Sequence, residues 1–163
     1  MNSQVPPRAV TACFTGHRQL REPAAELTLR VSAAVTDLVQ SGYIYFCAGG
    51  ARGFDALASE AVITLQARYP QIQLILMLPF AEQYRHERGW SGAEIEQYHR
   101  LQAQASQVLV LAPGYRSGVY YQRNRQLVDA SSVCITYLSR PNSGTGYTVR
   151  YAQTRGLRII HTI

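Results

Sequence analysis

Short apolar stretches alternate with longer amphipathic stretches along the whole chain. In the amphipathic stretches, apolar residues recur every three to four positions, as Leu27, Val31 and Val35 do, which is the spacing of a helix with one buried face. The apolar stretches have the length of strands that are buried on both faces of a sheet. The pattern predicts strands over residues 9–15, 43–48, 72–78, 107–112, 132–137 and 157–163, and helices over residues 24–40, 54–69, 93–105, 119–130 and 146–155.

Strands that alternate with helices form a mostly parallel sheet with helices packed against both faces. We therefore expect a three-layer α/β fold with about six strands. The 163 residues suit a single domain, and no linker, internal repeat or low-complexity segment divides them. We expect a flexible lead over residues 1–8, which contain two prolines.

The composition excludes several classes of protein. With 47% hydrophobic and 16% charged residues, the chain is typical of a globular protein and not of a disordered one. Its longest apolar run, residues 72–80, is too short to span a bilayer, and residues 1–10 lack the pattern of a secretory signal. Three scattered cysteines without a CxxC pair indicate buried thiols in a reducing compartment. The expectation is a cytoplasmic protein without a metal site, a required cofactor or a membrane partner.

The positive charge of the chain predicts an anionic partner. The formal net charge is +6 and the pI is near 9.5, which favours either nucleic acid or a phosphorylated small molecule. All 16 basic residues are arginine, and they are spread along the sequence without a basic tail. This even distribution weakens the nucleic-acid interpretation without removing it.

Candidate chemistry lies where the predicted strands end. In open parallel sheets, ligands bind beyond the carboxyl ends of the strands, at the point where the strand order reverses. Residues 16–18, 49–55 and 143–146 follow three of the strands and are rich in glycine and small polar residues. A glycine-rich turn before a helix lets backbone N–H groups approach an anion, and Arg52 adds a bidentate donor to phosphate. These strand ends predict an anion-binding cleft.

The order of these motifs resembles the SLOG superfamily of Rossmann-like domains, which includes the DprA proteins, the LOG-type nucleotide hydrolases and the small YpsA-like proteins. The length of the chain and the spacing of Pro79-Phe80, Gln83 and Trp90 are most similar to the YpsA-like branch. The resemblance covers almost the whole chain and implies a pocket for a nucleotide or a nucleotide-derived ligand such as ADP-ribose or NAD. It rests on four motifs in sequence, Gly16-His17-Arg18, GGARGFD at 49–55, RNR at 123–125 and SGTGYT at 143–148.

Carried over position by position, the resemblance implies a set of ligand-binding residues. The glycine turn and Arg52 would meet phosphate, and Asp55 would hold either that turn or a ribose hydroxyl. Arg123 and Arg125 are two residues apart on a helix and cannot share a face, so we expect one of them to point to the ligand. The full set is Gly16, His17, Arg18, Gly49, Gly50, Arg52, Gly53, Asp55, Arg123, Asn124, Ser143, Gly144 and Thr145.

The favoured hypothesis is a sensor or regulatory module that binds this small-molecule ligand. Two alternatives stay open: a DprA-like protein that binds single-stranded DNA, and a nucleotide N-glycosidase or phosphoribohydrolase. Residues 142–150, NSGTGYTVR, lack the proline, the full glycine pair and the glutamate of the PGGxGTxxE motif of LOG-type hydrolases. No other catalytic constellation stands out, so we predict no catalytic residues and leave enzyme activity open. A homodimer is the commonest assembly for a domain of this size.

Overall fold

The structure is a computed structural model that describes residues 5–163, and in this range a six-stranded parallel sheet forms the centre of the fold. Its strands are β1 (Thr11–Gly16), β2 (Tyr45–Ala48), β3 (Gln73–Leu78), β4 (Gln107–Val110), β5 (Val133–Tyr137) and β6 (Arg158–His161). Within the same residues, five helices connect them, namely α1 (Ala24–Gln40), α2 (Phe54–Leu65), α3 (Gly92–Gln104), α4 (Val119–Asp129) and α5 (Gly144–Thr154).

The sheet separates two apolar layers. Alternate residues of a strand point to opposite faces, so Phe14 packs with α1, α2 and α3 while its neighbour Cys13 packs with α4 and α5. Cys47 and Cys134 lie on the same side as Cys13, and all three cysteines are free and buried, as predicted. The predicted three-layer Rossmann-like fold is therefore confirmed.

Most helix and strand bounds differ from the predicted ones by a few residues. Helix α1 begins and ends as predicted, whereas α2 ends at Leu65 because residues 66–68 form turns, in which Ala67 and Arg68 bond to the carbonyls three residues before them. Residues 1–4 of the predicted flexible lead lie outside the described range. Of the remainder, Arg8 opens a 3-10 turn (Arg8–Val10) and donates hydrogen bonds to the carbonyls of Ser131 and Arg155.

The strand order sets the position of the cleft. From one edge of the sheet to the other, the order is β4-β3-β2-β1-β5-β6, and neighbouring strands are parallel throughout. The chain adds strands outward from β1 to β4 and then returns through α4 to place β5 on the other side of β1. The order thus reverses between β1 and β5, where a crevice opens at the carboxyl ends of the strands. No helix among residues 5–163 is long and apolar enough to cross a membrane.

Candidate ligand-binding site

A cavity of about 510 Å³ lies at this reversal point. Its walls come from the end of β1, the turn before α2, the first half of α4 and the loop between β5 and α5. Most of the predicted site residues line it: Gly16, His17, Arg18, Arg52, Asp55, Arg123, Asn124, Ser143, Gly144 and Thr145. The topology thus brings together residues that are as much as 129 positions apart in the sequence, from 16 to 145.

The other predicted glycines do not line the cavity but shape the turn beside it. Gly53 has a φ of 78°, and a Cβ there would lie 2.2 Å from the carbonyl oxygen of Arg18. Gly50 has a φ of 74°, and its Cβ would overlap the side chain of Leu78 at 2.3 Å. A Cβ on Gly49 would meet the guanidinium of Arg123 at 2.7 Å. The structure therefore gives these glycines a role in close packing, and a direct contact with phosphate stays a prediction.

Arg123 is the most enclosed charged group of the cavity, with 4% of its surface exposed. Its guanidinium donates to the carbonyl of Gly49 and, through Nε, to Oδ1 of Asn124 at 2.8 Å. It also lies 5.9 Å from the centre of the Tyr120 ring. Arg125 is exposed on the same helix and donates to the hydroxyl of Tyr147. The helix therefore turns one arginine of the pair inward and the other outward, as their spacing predicts.

Asp55 lies in the first turn of α2 and is 6% exposed. Its Oδ2 accepts a hydrogen bond of 3.2 Å from the N–H of Ala51, which closes the glycine-rich turn. Burial raises the pKa of Asp55, and the nearby Arg123 guanidinium opposes that rise. Burial likewise lowers the pKa of Arg123, against the attraction of Asp55. Asp55 therefore holds the turn, one of the two roles expected for it, and it is the single carboxylate among the described residues that line the cavity.

The start of α5 forms the opposite wall. The hydroxyl of Ser143 accepts a hydrogen bond of 3.0 Å from the N–H of Gly146 and donates one of 2.6 Å to the carbonyl of Arg140. A Cβ on Gly146 would lie 1.9 Å from the carbonyl oxygen of Pro141, so the helix starts tightly against its own loop. The first N–H groups of a helix have no partner within it. The N–H groups of Gly144 and Thr145 lie at the cavity and are suited to bind an anion.

His17 positions this loop. Its Nε2 accepts hydrogen bonds from the N–H groups of Ser139 at 3.0 Å and Arg140 at 3.3 Å. Burial lowers the pKa of His17, and the charges of Arg140 and Arg21 lower it further. The imidazole is therefore neutral, with its proton on Nδ1. His17 lies in the cavity wall as expected, but its Nε2 is already occupied by the protein backbone.

Arg140, Tyr120 and Tyr121 also line the cavity but are not among the predicted site residues. Arg140 follows β5 by three residues, so the rule that selected the other strand ends could have found it. The two tyrosines lie in the first turn of α4, and because such aromatic pairs usually pack in a core or an interface, the sequence alone did not select them. The Tyr120 hydroxyl is buried and has no hydrogen-bond partner within residues 5–163, whereas Tyr121 is 48% exposed.

The charged groups that line the cavity are mainly positive, because Arg18, Arg52, Arg123 and Arg140 line it with one carboxylate, that of Asp55. Arg18 and Arg52 also pair with carboxylates outside the lining, those of Glu87 at 3.3 Å and Glu94 at 3.8 Å. No group of three or more potential metal ligands occurs in the part of the chain that the structure describes. An anion-suited crevice at the reversal point of a parallel sheet is characteristic of a Rossmann-like ligand-binding domain.

Comparison with known proteins identifies the family within this fold class. The YspA SLOG family matches residues 23–157, and the chain belongs to this family. A UPF0398 protein of Bacillus thuringiensis is 26% identical over 125 residues, which are 75% of this chain and 66% of that protein. A UPF0398 protein of Halalkalibacterium halodurans is 36% identical over 64 residues, 39% of this chain and 32% of its own length. The chain thus spans just under two thirds of the length of the Bacillus relative.

Two solved structures share the fold. A structure of DNA processing protein A from Helicobacter pylori, described for its single-stranded DNA binding mode, superposes with a TM-score of 0.65 and 18% identity. It covers 94% of this chain and 65% of the other. DNA processing protein A from Streptococcus pneumoniae gives a TM-score of 0.63 at 15% identity, over 94% of this chain and 50% of the other. At these identities the likeness establishes the fold.

Proposed function

We propose that the cavity binds a phosphate-bearing, nucleotide-derived ligand of the ADP-ribose or NAD type, and that the protein acts as a sensor or regulatory module. The observation that carries the proposal is the excess of guanidinium groups over carboxylates in one cavity beside a helix start. Guanidinium groups bind phosphate through paired hydrogen bonds, and the N–H groups at a helix start add further donors. The ligand is expected to remain intact.

The arginines that line the cavity suit a ligand with more than one phosphate. Arg140 lies in the loop before α5, Arg52 lies in the turn before α2, and Arg18 follows β1. Tyr121 also lines the cavity with about half of its surface exposed and packs edge-on against Tyr147. An exposed aromatic ring at a ligand cavity is suited to stack on a base. A volume of about 510 Å³ falls within the usual range for small-molecule sites.

Single-stranded DNA is the second candidate, and exposed aromatic rings near the cavity favour it. Tyr115 is 51% exposed and stacks on His86 at 3.8 Å, and the exposed Tyr121 lines the cavity. Such rings accept bases in sequence-independent binding. A DNA binder that neutralises several phosphates predicts an affinity that increases with oligonucleotide length and falls steeply with salt. A small-molecule site predicts a much weaker dependence on salt.

A matched pair of glycine variants tests the location of the site. Gly144 and Gly92 both open a helix after a serine cap, and a Cβ on either meets no atom within 4 Å. Gly144 lines the cavity and Gly92 does not. Calorimetric titration with ADP-ribose should therefore show binding to wild type and to Gly92→Leu and a loss of at least tenfold in Gly144→Leu. Equal affinity in both variants would place the ligand elsewhere.

A further inference from the structure

Glu87 joins the cavity to a neighbouring segment of the chain. One carboxylate oxygen lies 3.3 Å from Nη2 of Arg18, and the other accepts a hydrogen bond of 2.9 Å from Nε1 of Trp90. The Glu87 side chain is 8% exposed, although it lies between β3 and α3, outside the regular elements. A carboxylate this enclosed requires partners. Its partners here are a cavity arginine and the single tryptophan of the chain.

Glu87 also faces the same ring as the cavity arginines. Arg18 lies 5.5 Å from the centre of the Tyr120 ring, and Arg123 lies 5.9 Å from it. Burial raises the pKa of Tyr120, and the charge and proximity of Glu87 raise it further, against the charges of Arg18 and Arg123. Arg18, Arg123 and the unpartnered hydroxyl of Tyr120 form a set of donors suited to an anion. Glu87 supplies that anion to Arg18.

The segment that carries Glu87, residues 79–91, lies mostly outside the helices and strands. Its regular structure is one 3-10 turn (Gln83–Arg85). Glu82 precedes this turn with a φ of 54°, a left-handed conformation that costs free energy for a residue with a side chain. At the other end, Gly89 approaches Arg52 so closely that a Cβ would lie 3.1 Å from Nη2. The segment thus touches two of the cavity arginines.

We infer that Glu87 is an internal counter-ion that a ligand phosphate displaces from Arg18. This inference rests on the proposed function, because it concerns regulation of the same cavity. When Arg18 turns to a phosphate, the enclosed Glu87 carboxylate loses its paired cation and keeps the hydrogen bond from the Trp90 N–H. The carboxylate then moves toward water, and Trp90 loses its acceptor. Occupancy of the cavity is in this way transmitted to residues 79–91.

The counter-ion also selects ligands by charge. A neutral nucleoside cannot compete with a carboxylate for Arg18, whereas a phosphate ester can. The Glu87→Gln variant removes the competing charge and keeps an oxygen that can accept the Trp90 hydrogen bond. We expect this variant to bind AMP and ADP-ribose about two- to fivefold more tightly than wild type does, the range for a partly exposed ion pair. Adenosine should bind both proteins equally weakly.

The matched control is Glu82→Gln. It changes the net charge by the same amount within the same segment, but Glu82 pairs with the exposed Arg85 and does not contact the cavity. Calorimetry with AMP, ADP-ribose and adenosine gives the affinities, and Trp90 emission reports on the segment. We expect Trp90 emission to change with ADP-ribose in wild type and Glu82→Gln, and much less in Glu87→Gln.

The outcomes separate this inference from the proposed function. Tighter binding by Glu87→Gln but not by Glu82→Gln supports the counter-ion. If wild type binds ADP-ribose and Glu87→Gln binds it no more tightly, the counter-ion is refuted and the proposed function stands. Calorimetric binding without a change of Trp90 emission in wild type refutes the transmission to residues 79–91. Absence of binding in all three proteins overturns both proposals.

Discussion

A single methyl group on Gly49 should displace the central arginine of the cavity without removing its charge. In Gly49→Ala, the new Cβ would lie 2.7 Å from Nη1 of Arg123, 2.8 Å from Cζ and 2.9 Å from Nε. Gly49 is not among the glycines with positive φ, so alanine brings no backbone strain. The overlap involves the movable end of a long side chain, so the guanidinium shifts while the backbone stays in place.

The loss of stability in Gly49→Ala follows from the hydrogen bond that the variant loses. The Arg123 guanidinium donates to the Gly49 carbonyl within a buried site, and a hydrogen bond to a charged group contributes roughly 1.5–3 kcal/mol. For a chain of 163 residues, each kcal/mol corresponds to about 2–4 °C, so the melting temperature should fall by about 3–12 °C. If Arg123 also contacts the ligand, a similar energy lowers the affinity by roughly 10- to 150-fold.

Thermal unfolding followed by circular dichroism and calorimetric titration with ADP-ribose measure the two effects separately. The control is Gly114→Ala, in the loop before α4, where a methyl group meets no atom within 4 Å. A lower melting temperature with unchanged affinity would refute a contact between Arg123 and the ligand. A melting temperature equal to that of the control would refute the packing of Arg123 against Gly49.

Three further predictions concern stability. Gly53→Ala should destabilise the protein more than Gly42→Ala in urea unfolding, because both glycines have positive φ but only the former would overlap a carbonyl, that of Arg18. Burial raises the pKa of Asp55 above its ordinary value of 3.8, so its contribution to stability is complete below that pH and is lost as the pH rises through the raised pKa. The free energy of unfolding of Asp55→Asn should therefore increase relative to that of wild type from about pH 4 toward neutrality. A difference between the two proteins that does not change with pH would contradict this. Burial lowers the pKa of His17 below 6.5, so its contribution to stability is complete above pH 6.5 and is lost as the pH falls through the lowered pKa. Urea unfolding should show this loss of stability in wild type and not in His17→Gln.

The sequence was sufficient to predict the fold because its helical spacing of apolar residues and its short, fully apolar strand segments are both clear. Helix α1 begins and ends where its apolar spacing predicts, and each strand appears as a separate apolar run. The residues at the strand ends could be selected because parallel strands all place their carboxyl ends on one edge of the sheet. That rule selected His17 and Ser143, whereas Arg123, on α4, was predicted from the family resemblance of its RNR motif; all three line the cavity.

What the sequence could not supply is the order of the strands and the direction of each side chain in the turns. The position of β5 beside β1 results from long-range packing, and it makes Arg140 a cavity residue. Gly50 and Gly53 follow the pattern of a phosphate-binding turn, but their φ angles and close neighbours show that the turn needs them for its own packing. The bridge from Arg18 through Glu87 to Trp90 joins residues with no shared motif.

The most direct test of a nucleotide-derived ligand in the cavity is a calorimetric titration of the wild-type protein with ADP-ribose, NAD, AMP and a short single-stranded oligonucleotide. Chromatography of each mixture afterwards shows whether the ligand is intact. We predict saturable binding of one ADP-ribose or NAD molecule per chain, with the ligand recovered unchanged. Binding of the oligonucleotide alone, with an affinity that falls steeply as salt increases, would contradict this prediction, and so would conversion of the nucleotide to products.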